Sequence, residues 1–530
     1  MEQSYARGKL MLASFLTLVA SGVGFATRTA ASPAWEREFG ISGAQFGAIL
    51  GAGFLGFGLM IFFGGILVEK FGYKALLGLA FLLHLGSAGM LFAADSMFAG
   101  WNEADPTTAT EKVFNLLFWS AFAFSICQGL YEAVINPLIA QLYPDNQTHY
   151  LNILHAGWPA GMIIGGLFAA GFMGNTPFVT EIPWAIAMSF FVLFVIAYGV
   201  LALPEKFPET VGESSSDFGV LFSCFASAPF ILLLVLHGLI GYMELGVDSW
   251  MTKLMENLIP NAVLVLVYTS ALMFILRFFA GPIVHKINPI GLLFGSSIIA
   301  CGGLIWLSQD IDSLVMIFVA ATFYSLGKAF LWPTMLGVAG ERYPQSGSIA
   351  MGALGAVGMI TIGQVGGPII GTQQGYHMSQ QLEEASADTF GRYTDADATA
   401  AWGYEYKAVT GAKLGIANKV AEMEDEAEIA NVFAENEVLS EEDKTELQAH
   451  LKEDVKLVQA ANLAGSRLAL KDTAMIPAAM AIGFLILLIY FKSIGGYRVI
   501  PLAEALGETA PPSGDGASAA PAADGDTTES

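Results

Sequence analysis

The chain is predicted to be an all-α membrane protein, with twelve transmembrane helices in two six-helix bundles related by pseudo-twofold symmetry. Three observations predict it. First, 54% of the 530 residues are hydrophobic and only 13% charged, against roughly a quarter charged in ordinary soluble domains; mean hydropathy is +0.57. Second, apolar runs of about 20 residues, the length that crosses a bilayer core, recur at roughly 10–32, 42–67, 74–93, 113–142, 150–173, 182–203, 229–249, 261–284, 290–308, 312–340, 347–371 and 474–492. Third, a polar stretch separates six runs from six. Across it Tyr143-Pro144 matches Tyr343-Pro344 and Gly166 matches Gly366, the faint trace that two parallel repeats leave.

The elements follow in order. Residues 1–203 form the N-terminal six-helix bundle. Arg7 and Lys9 before the first run, and Ala-Ser-Pro-Ala after it, imitate a signal peptide. The apolar run continues to Trp35, which favours a first transmembrane helix. The runs at 113–142 and 312–340 are long enough to tilt or to project into water. Leu203-Pro204-Glu205 ends the sixth run, and 204–228, with Pro208, Gly212 and Ser214, reads as a cytoplasmic linker. Residues 229–371 hold helices seven to eleven, and 473–498 hold helix twelve and its cytoplasmic end. Between them, 372–472 is an acidic extracytoplasmic insert with 20 Asp/Glu against 9 Lys/Arg. There, Lys413 to Glu435 is rich in Ala and Glu and predicts soluble helix. Ser440 before Glu441-Glu442-Asp443 predicts a helix N-terminus. The tail, 499–530, is acidic, rich in Pro, Gly, Ala and Ser, and predicted to be disordered.

Basic residues set the orientation. With both termini cytoplasmic, inner segments carry Arg7, Lys9, Lys70, Lys74, Lys206, Lys286, Arg342, Lys492 and Arg498, and short outer loops only Arg37, Lys112 and Lys253. Of the formal charge of −23, insert and tail together carry −17. No basic patch exists to neutralise phosphates, which excludes nucleic acid as a partner. No Gly-rich phosphate loop, catalytic constellation or metal spacing is present, so neither an enzyme, an ATP-driven pump nor a cofactor is expected. Cys127, Cys224 and Cys301 sit in or beside apolar runs and read as small core residues. The insert itself reads as a solvated cap, or as a field that attracts cationic solutes.

Charged groups at membrane depth cost several kcal/mol and normally face a wet cavity or a partner. Three cations, Arg28, Arg277 and Lys328, and three acids, Glu132, Glu244 and Asp248, lie inside the runs. Gln128, Glu132 and Asn136 recur every four residues and form one polar stripe, suited to binding hydroxyls; Glu132 could also carry a proton. Its plainer alternative is an ion pair with Arg28 or Lys328. His237, Gly241, Glu244 and Asp248 share one face, with Asp248 near the outer end, where water can solvate it. His237 reads as a satisfied polar core residue. Arg28 continues a stripe through Thr17, Ser21 and Gly24. Lys328, with Trp332 one turn on, sits at the depth of Glu132. His155, Trp158 and Pro159 form an aromatic and polar group. Arg277 lies toward the cytoplasmic end and suits a gate or anchor.

Gly65-Ile-Leu-Val-Glu-Lys-Phe-Gly-Tyr-Lys74 resembles the loop between helices two and three of the major facilitator superfamily. Glu132-Ala-Val-Ile-Asn136-Pro137, Tyr143-Pro144 and Leu151-Asn152 look most like helices four and five of its fucose–proton symporter family. The resemblance implies a gating cluster at Glu69, Lys70, Gly72 and Lys74, where Glu69 replaces the usual Asp. It also implies sugar binding and proton coupling at Glu132. The sequence departs from that family at Arg28-Thr29-Ala30-Ala31, where an Asn-Asp pair is usual, and at Trp158, which replaces a polar residue.

The expectation is a secondary active transporter for a small polar solute, a monosaccharide first, working by alternating access with a co-transported proton (or sodium). It would bind solute through Gln128, Glu132, Asn136, His155, Trp158, Arg28, Lys328, Trp332 and Glu244. Glu132 and Glu244 would couple protons, and Glu69, Lys70, Gly72, Lys74 and Arg277 would gate. It would act as a monomer in the lipid bilayer of a bacterial inner membrane. Two alternatives are an organic-anion transporter of the same fold and a non-transporting sensor working through the insert.

Overall fold

In the computed structural model the apolar runs become long helices. The structure describes residues 5–39, 41, 43–173, 179–214, 218–255, 263–311, 313–421, 423, 425–434 and 439–506. Residues 215–217 of the linker and 507–530 of the tail, together with the side chains of Arg37 and Lys253, lie outside the described residues.

The first half runs α1 (Arg7–Ala30), α2 (Ser32–Phe39), α3 (Gly43–Ala104), α4 (Pro106–Leu142), α5 (Gln147–His155), α6 (Gly157–Phe172), α7 (Trp184–Met188) and α8 (Val192–Ala202). A short linker helix α9 (Val211–Ser214) follows. The second half runs α10 (Ala228–Gly241), α11 (Val247–Met255), α12 (Val263–Arg277), α13 (Ala280–Leu307), α14 (Leu314–Lys328), α15 (Leu331–Arg342), α16 (Gly347–Thr361) and α17 (Gly367–Ala385). One π-helical turn, Tyr242–Gly246, joins α10 to α11, and another, Ile362–Gly366, joins α16 to α17. Among the described residues ten spans are long and apolar enough to cross a membrane. Leu82, Leu193, Val200, Ile482 and Ile489 are exposed on them, as side chains facing lipid tails would be.

Two breaks have local causes. The 54-residue span Gly51–Ala104 breaks at Gly72 (φ 78°, ψ 163°), a backbone region open essentially only to glycine. In α13 the chain bends at Asn288 (φ 56°), with Pro289 next and the Asn288 side chain accepting a hydrogen bond from the Gly291 N–H at 2.9 Å. That is a helix start inside a helix, because Pro suits the first helical position and an Asn oxygen caps the orphan N–H groups. Helical structure therefore begins at Ala280, earlier than the apolar run at 290–308 indicates.

Helix α1 packs closely on α6; a Cβ added at Gly161 would stand 2.9 Å from the Cα of Gly22. Both ends of the described chain lie on one face. Lys9 pairs with Glu205 at 2.8 Å, and the Ile500 N–H donates to the Glu341 carbonyl at 2.8 Å. The start of the predicted tail is thus ordered: it holds α23 (Leu502–Ala505), and exposed Arg498 grips Glu504. That ion pair holds the Glu504 carboxyl below its ordinary range.

The insert rises from the opposite face as a folded unit. Helix α17 runs on into it as far as Ala385, well past the apolar run's end at 371. It then comprises α18 (Ala387–Tyr393), a hairpin of β1 (Thr394–Ala401) and β2 (Tyr404–Val409), α19 (Gly411–Val420), α20 (Glu426–Ala434) and α21 (Glu441–Thr473). Helix α22 (Met475–Ser493) returns through the membrane part. The hairpin was not foreseen. Its turn, Trp402 (φ 55°) and Gly403 (φ 86°), has the two positive φ values of a tight hairpin loop; β1 is Ala- and Asp-rich and lacks a strand-like pattern, whereas Tyr404-Glu-Tyr-Lys-Ala-Val409 of β2 does alternate. The predicted helix over 413–435 is two helices. Ser440 caps α21 as expected, its Oγ accepting from the Asp443 N–H at 3.1 Å. Leu382, Tyr393, Ile416, Phe433, Leu447 and Val458 make the insert's own core. Beside it the buried Asp454 carboxylate takes both Arg392 Nε (2.8 Å) and Nη2 (2.6 Å), which raises the Arg392 pKa above its usual value. The insert stands on the second half: Arg467 pairs with Asp310, and Gln374 donates to Asn462 at 3.2 Å and Ser466 at 3.1 Å.

Candidate functional site

A cavity of about 110 Å³ lies between the two halves of the chain, toward the insert side of the membrane part. That is room for several waters. From the first half Arg28, Gln128, Glu132, His155 and Trp158 line it; from the second, Glu244, Asp248, Arg277 and Trp332. Of the expected binding residues, Asn136 and Lys328 stand one layer behind the wall, each touching a lining carboxylate.

On α4 the four-residue spacing does what it promised. Asn136 donates through Nδ2 to Glu132 Oε2 at 3.3 Å, so its Oδ1 is free to accept from His155 Nε2 at 2.9 Å. Glu132 is thereby held by neutral groups. Gln128 donates to Ser21 Oγ on α1, which ties the two polar stripes together. Phe25 and Trp158, 5.7 Å apart, form an apolar wall.

The ion pairing differs from expectation. Glu132 pairs with neither Arg28 nor Lys328. Lys328 Nζ instead contacts both oxygens of Asp248, at 2.6 Å to Oδ2. Asp248 is therefore the partly buried partner of Lys328 in the cavity wall, where a solvated outer residue was expected. Tyr324 Oη also donates to it at 3.3 Å. Residues 248 and 328 lie 80 positions apart, and no spacing rule within one helix connects them.

Arg277 is also repositioned. It stands in the cavity wall, 2% exposed, and not at a membrane edge. Its Nη2 meets Glu244 Oε1 at 2.8 Å and its Nε meets the Ala329 carbonyl at 2.8 Å. Its Nη1 reaches the His155 carbonyl in the first half. Both carbonyls sit at helix breaks, α14 to α15 and α5 to α6, where the helix leaves acceptors orphaned. One guanidinium, with donors in a rigid fork, thus satisfies two breaks and one acid and bridges the halves.

Arg28 has no such partner. Its guanidinium carbon stands 4.3 Å from the centroid of the Phe124 ring. Arg28 is 5% exposed, and its Nε and Nη2 are buried without a hydrogen bond among the described residues. His237 departs from the satisfied core histidine expected: its ring lies tilted against Trp332, centroids 4.4 Å apart, and neither ring nitrogen has a hydrogen-bond partner among the described residues.

Toward the terminus face the halves close on each other. Asn152 Nδ2 donates to Thr334 Oγ1 at 3.1 Å, Thr148 Oγ1 to Glu341 Oε1 at 2.6 Å, and the Gly281 N–H to His149 Nδ1 at 3.1 Å. The predicted gating loop completes the seal. Glu69, 1% exposed, accepts from the Ser348 N–H at 2.6 Å and the Gly212 N–H at 2.8 Å. A first-half carboxylate thereby caps α16 in the second half, where unpaired N–H groups and the positive helix end favour an anion. Gly72 supplies the loop's bend. Lys74 donates to the Glu205 carbonyl at 3.1 Å, and Lys70 lies over Phe71, 5.4 Å from its centroid. Glu341 and Thr148 were not singled out in the sequence; the repeated Tyr-Pro at 143–144 and 343–344, two to five residues away, was the available sign.

The Major Facilitator Superfamily profile matches residues 11–368. Among solved structures, the MFS transporter FucP in the outward conformation is 19% identical, with a TM-score of 0.55 over 70% of this chain and 92% of that one. The human organic anion transporter MFSD10 is 12% identical, with a TM-score of 0.57 over 91% and 100%. A bacterial homolog of the human lysosomal transporter Spinster, inward-facing and unoccupied, is 14% identical, with a TM-score of 0.57 over 94% and 100%. No curated protein sequence matches. With its profile match, membrane spans and transporter-like fold, the chain belongs to the Major Facilitator Superfamily, as an integral membrane transporter and not an enzyme.

Proposed function

We propose that the protein is a secondary active transporter that moves a small hydroxylated solute, a monosaccharide first, by alternating access coupled to protons. The observation that carries this reading is the cavity between the halves, largely apolar in its lining but with Arg28, Glu132, Glu244 and Arg277 in its wall, and closed toward the terminus face by hydrogen bonds between the halves. Glu132 is the proton carrier. It is buried, lines the cavity and is held only by a neutral amide, so its charge can be lost without stranding a buried cation. Gln128 and His155 orient hydroxyls, Asn136 acts through Glu132 and His155, which it holds, and Trp158 and Trp332 lie against the solute's apolar face. Glu244 and Lys328 act through their partners, Arg277 and Asp248.

In this reading the break at Gly72 and the short apolar helix Val265–Arg277 bring the crossings to twelve, six per bundle, with 204–228 as the connecting linker. The bundles rock about the cavity, a population shift between two packings. Glu69, Gly72 and their neighbours hold one packing closed on the cytoplasmic side, with both termini there and the insert outside. The unit is a monomer in a bacterial inner membrane. The test is transport by purified protein in liposomes. Glu132→Gln abolishes proton-driven accumulation of the solute and spares its counterflow exchange. Undiminished accumulation would remove Glu132 as the carrier.

A further inference from the structure

The cavity's charges do not balance locally. Arg277 is matched by Glu244 and Lys328 by Asp248. Glu132 and Arg28 remain, and they are not partners. Arg28 lies over Phe124, two helical turns from Glu132 on the same face of α4. At about 1.5 Å per residue that separates their levels by roughly 12 Å, far beyond ion-pair reach. Two hydrogen bonds of about 2.8 Å each, one at either end, leave roughly 6 Å between them, the reach of a pyranose ring.

No carboxylate answers Arg28 among the described residues. Its Nε and Nη2 are buried without a hydrogen bond, and they form the side of the guanidinium that grips a carboxylate with two parallel bonds. It occupies the last turn of α1, where the helix end favours a cation, and it lines the cavity on the insert side of Glu132.

We infer that the solute carries a carboxylate, which Arg28 binds, on a hydroxylated body that reaches the Gln128–Glu132 stripe. The class is sugar acids, uronates and aldonates. The inference rests on the transporter reading above and narrows its substrate. It has an energetic consequence. A monocarboxylate entering with one proton moves no net charge, so a pH gradient drives accumulation and membrane potential does not. A neutral sugar entering with a proton moves one charge.

The test uses the full chain with D-glucuronate and D-glucose as probes. In detergent, D-glucuronate raises the thermal midpoint of the protein and D-glucose does not. Arg28→Gln weakens D-glucuronate binding by about tenfold or more, as loss of a charge-assisted pair does, and Arg28→Lys falls between. In liposomes the unmodified chain accumulates D-glucuronate with a pH gradient, unaffected by a potassium diffusion potential, a readout that stands even if the Arg28 variants do not fold. Binding of D-glucose alone, of neither probe, or of D-glucuronate equally by Arg28→Gln overturns the inference, as does potential-driven uptake. Proton-driven D-glucose uptake overturns the inference while leaving the transporter reading intact; absence of any second conformation removes that reading whichever probe binds.

Discussion

Glu69→Gln tests how the terminus face is held shut. In the structure each carboxylate oxygen has its own donor: Oε1 takes the Ser348 N–H and Oε2 the Gly212 N–H. Gln keeps the shape, but one oxygen becomes an amino group that faces an N–H. At least one charge-assisted hydrogen bond is lost, and the capping charge with it. A hydrogen bond to a charged group contributes about 1.5–3 kcal/mol. The Ser348 bond exists only while the halves are together at this face, so its loss weighs on the closed packing and not on the open one. At 1.4 kcal/mol per tenfold, the closed-to-open ratio falls by about 10- to 150-fold. The assay is labelling of a single cysteine at Asn152, inside the seal, in a background where Cys127, Cys224 and Cys301 are replaced. Asn152→Cys should react faster with a water-soluble maleimide from the terminus face once Glu69→Gln is added. Equal rates, with both proteins folded, would refute the claim that Glu69 holds the halves together. A drop in thermal midpoint without a change in labelling would make Glu69 a stabiliser of one half only.

Three further outcomes follow from named contacts. Arg277→Ala strands Glu244 and two helix-end carbonyls in a dry wall and should cost about 3–5 kcal/mol of stability; adding Glu244→Gln should recover part of it, and additive losses in the thermal midpoint would contradict the pairing. Gly72→Ala forces a side chain into φ 78° and should cost about 1–3 kcal/mol, whereas an unchanged midpoint would mean the loop relaxes freely. Deleting 376–468 removes the insert where α17 and α21 run side by side, joined by Gln374 and Ser466, so a short linker can close the gap; the shortened protein should fold and transport. Loss of transport with folding intact would instead make the insert the working part, as a sensor requires.

The helices and the cavity's polar faces were legible because both rest on local rules. Twenty apolar residues state a crossing, and Gln128, Glu132 and Asn136 at four-residue spacing state a shared face. The choice of partner was not legible. Lys328 sits at the depth of Glu132, yet Asp248 reaches it first, because the depth of a residue in its own helix says nothing about which helix stands opposite. Arg277 was expected toward a membrane edge; it does end its helix, but its side chain lines the cavity and bridges the halves, which position along one helix does not reveal. The carbonyls that hold it, those of His155 and Ala329, are freed by Pro159 and Pro333, each four residues on and without an N–H to bond back; the prolines were legible, but not which side chain would reach the freed carbonyls. The hairpin in the insert was hidden by a first strand of Ala, Asp and Thr; the available signs were the turn at Trp402-Gly403 and the alternation of Tyr404 and Tyr406 in the second strand.

The central claim is that the buried charges face one chamber between halves that swing. Paired spin labels measure it most directly, at Asp145 and His285 on the terminus face and at Ser96 and Ser313 on the insert face, all exposed here. The account predicts two populations for each pair, reciprocally linked: as solute or acid lengthens the first distance, the second shortens. A single unchanging distance at both faces under every condition would contradict it.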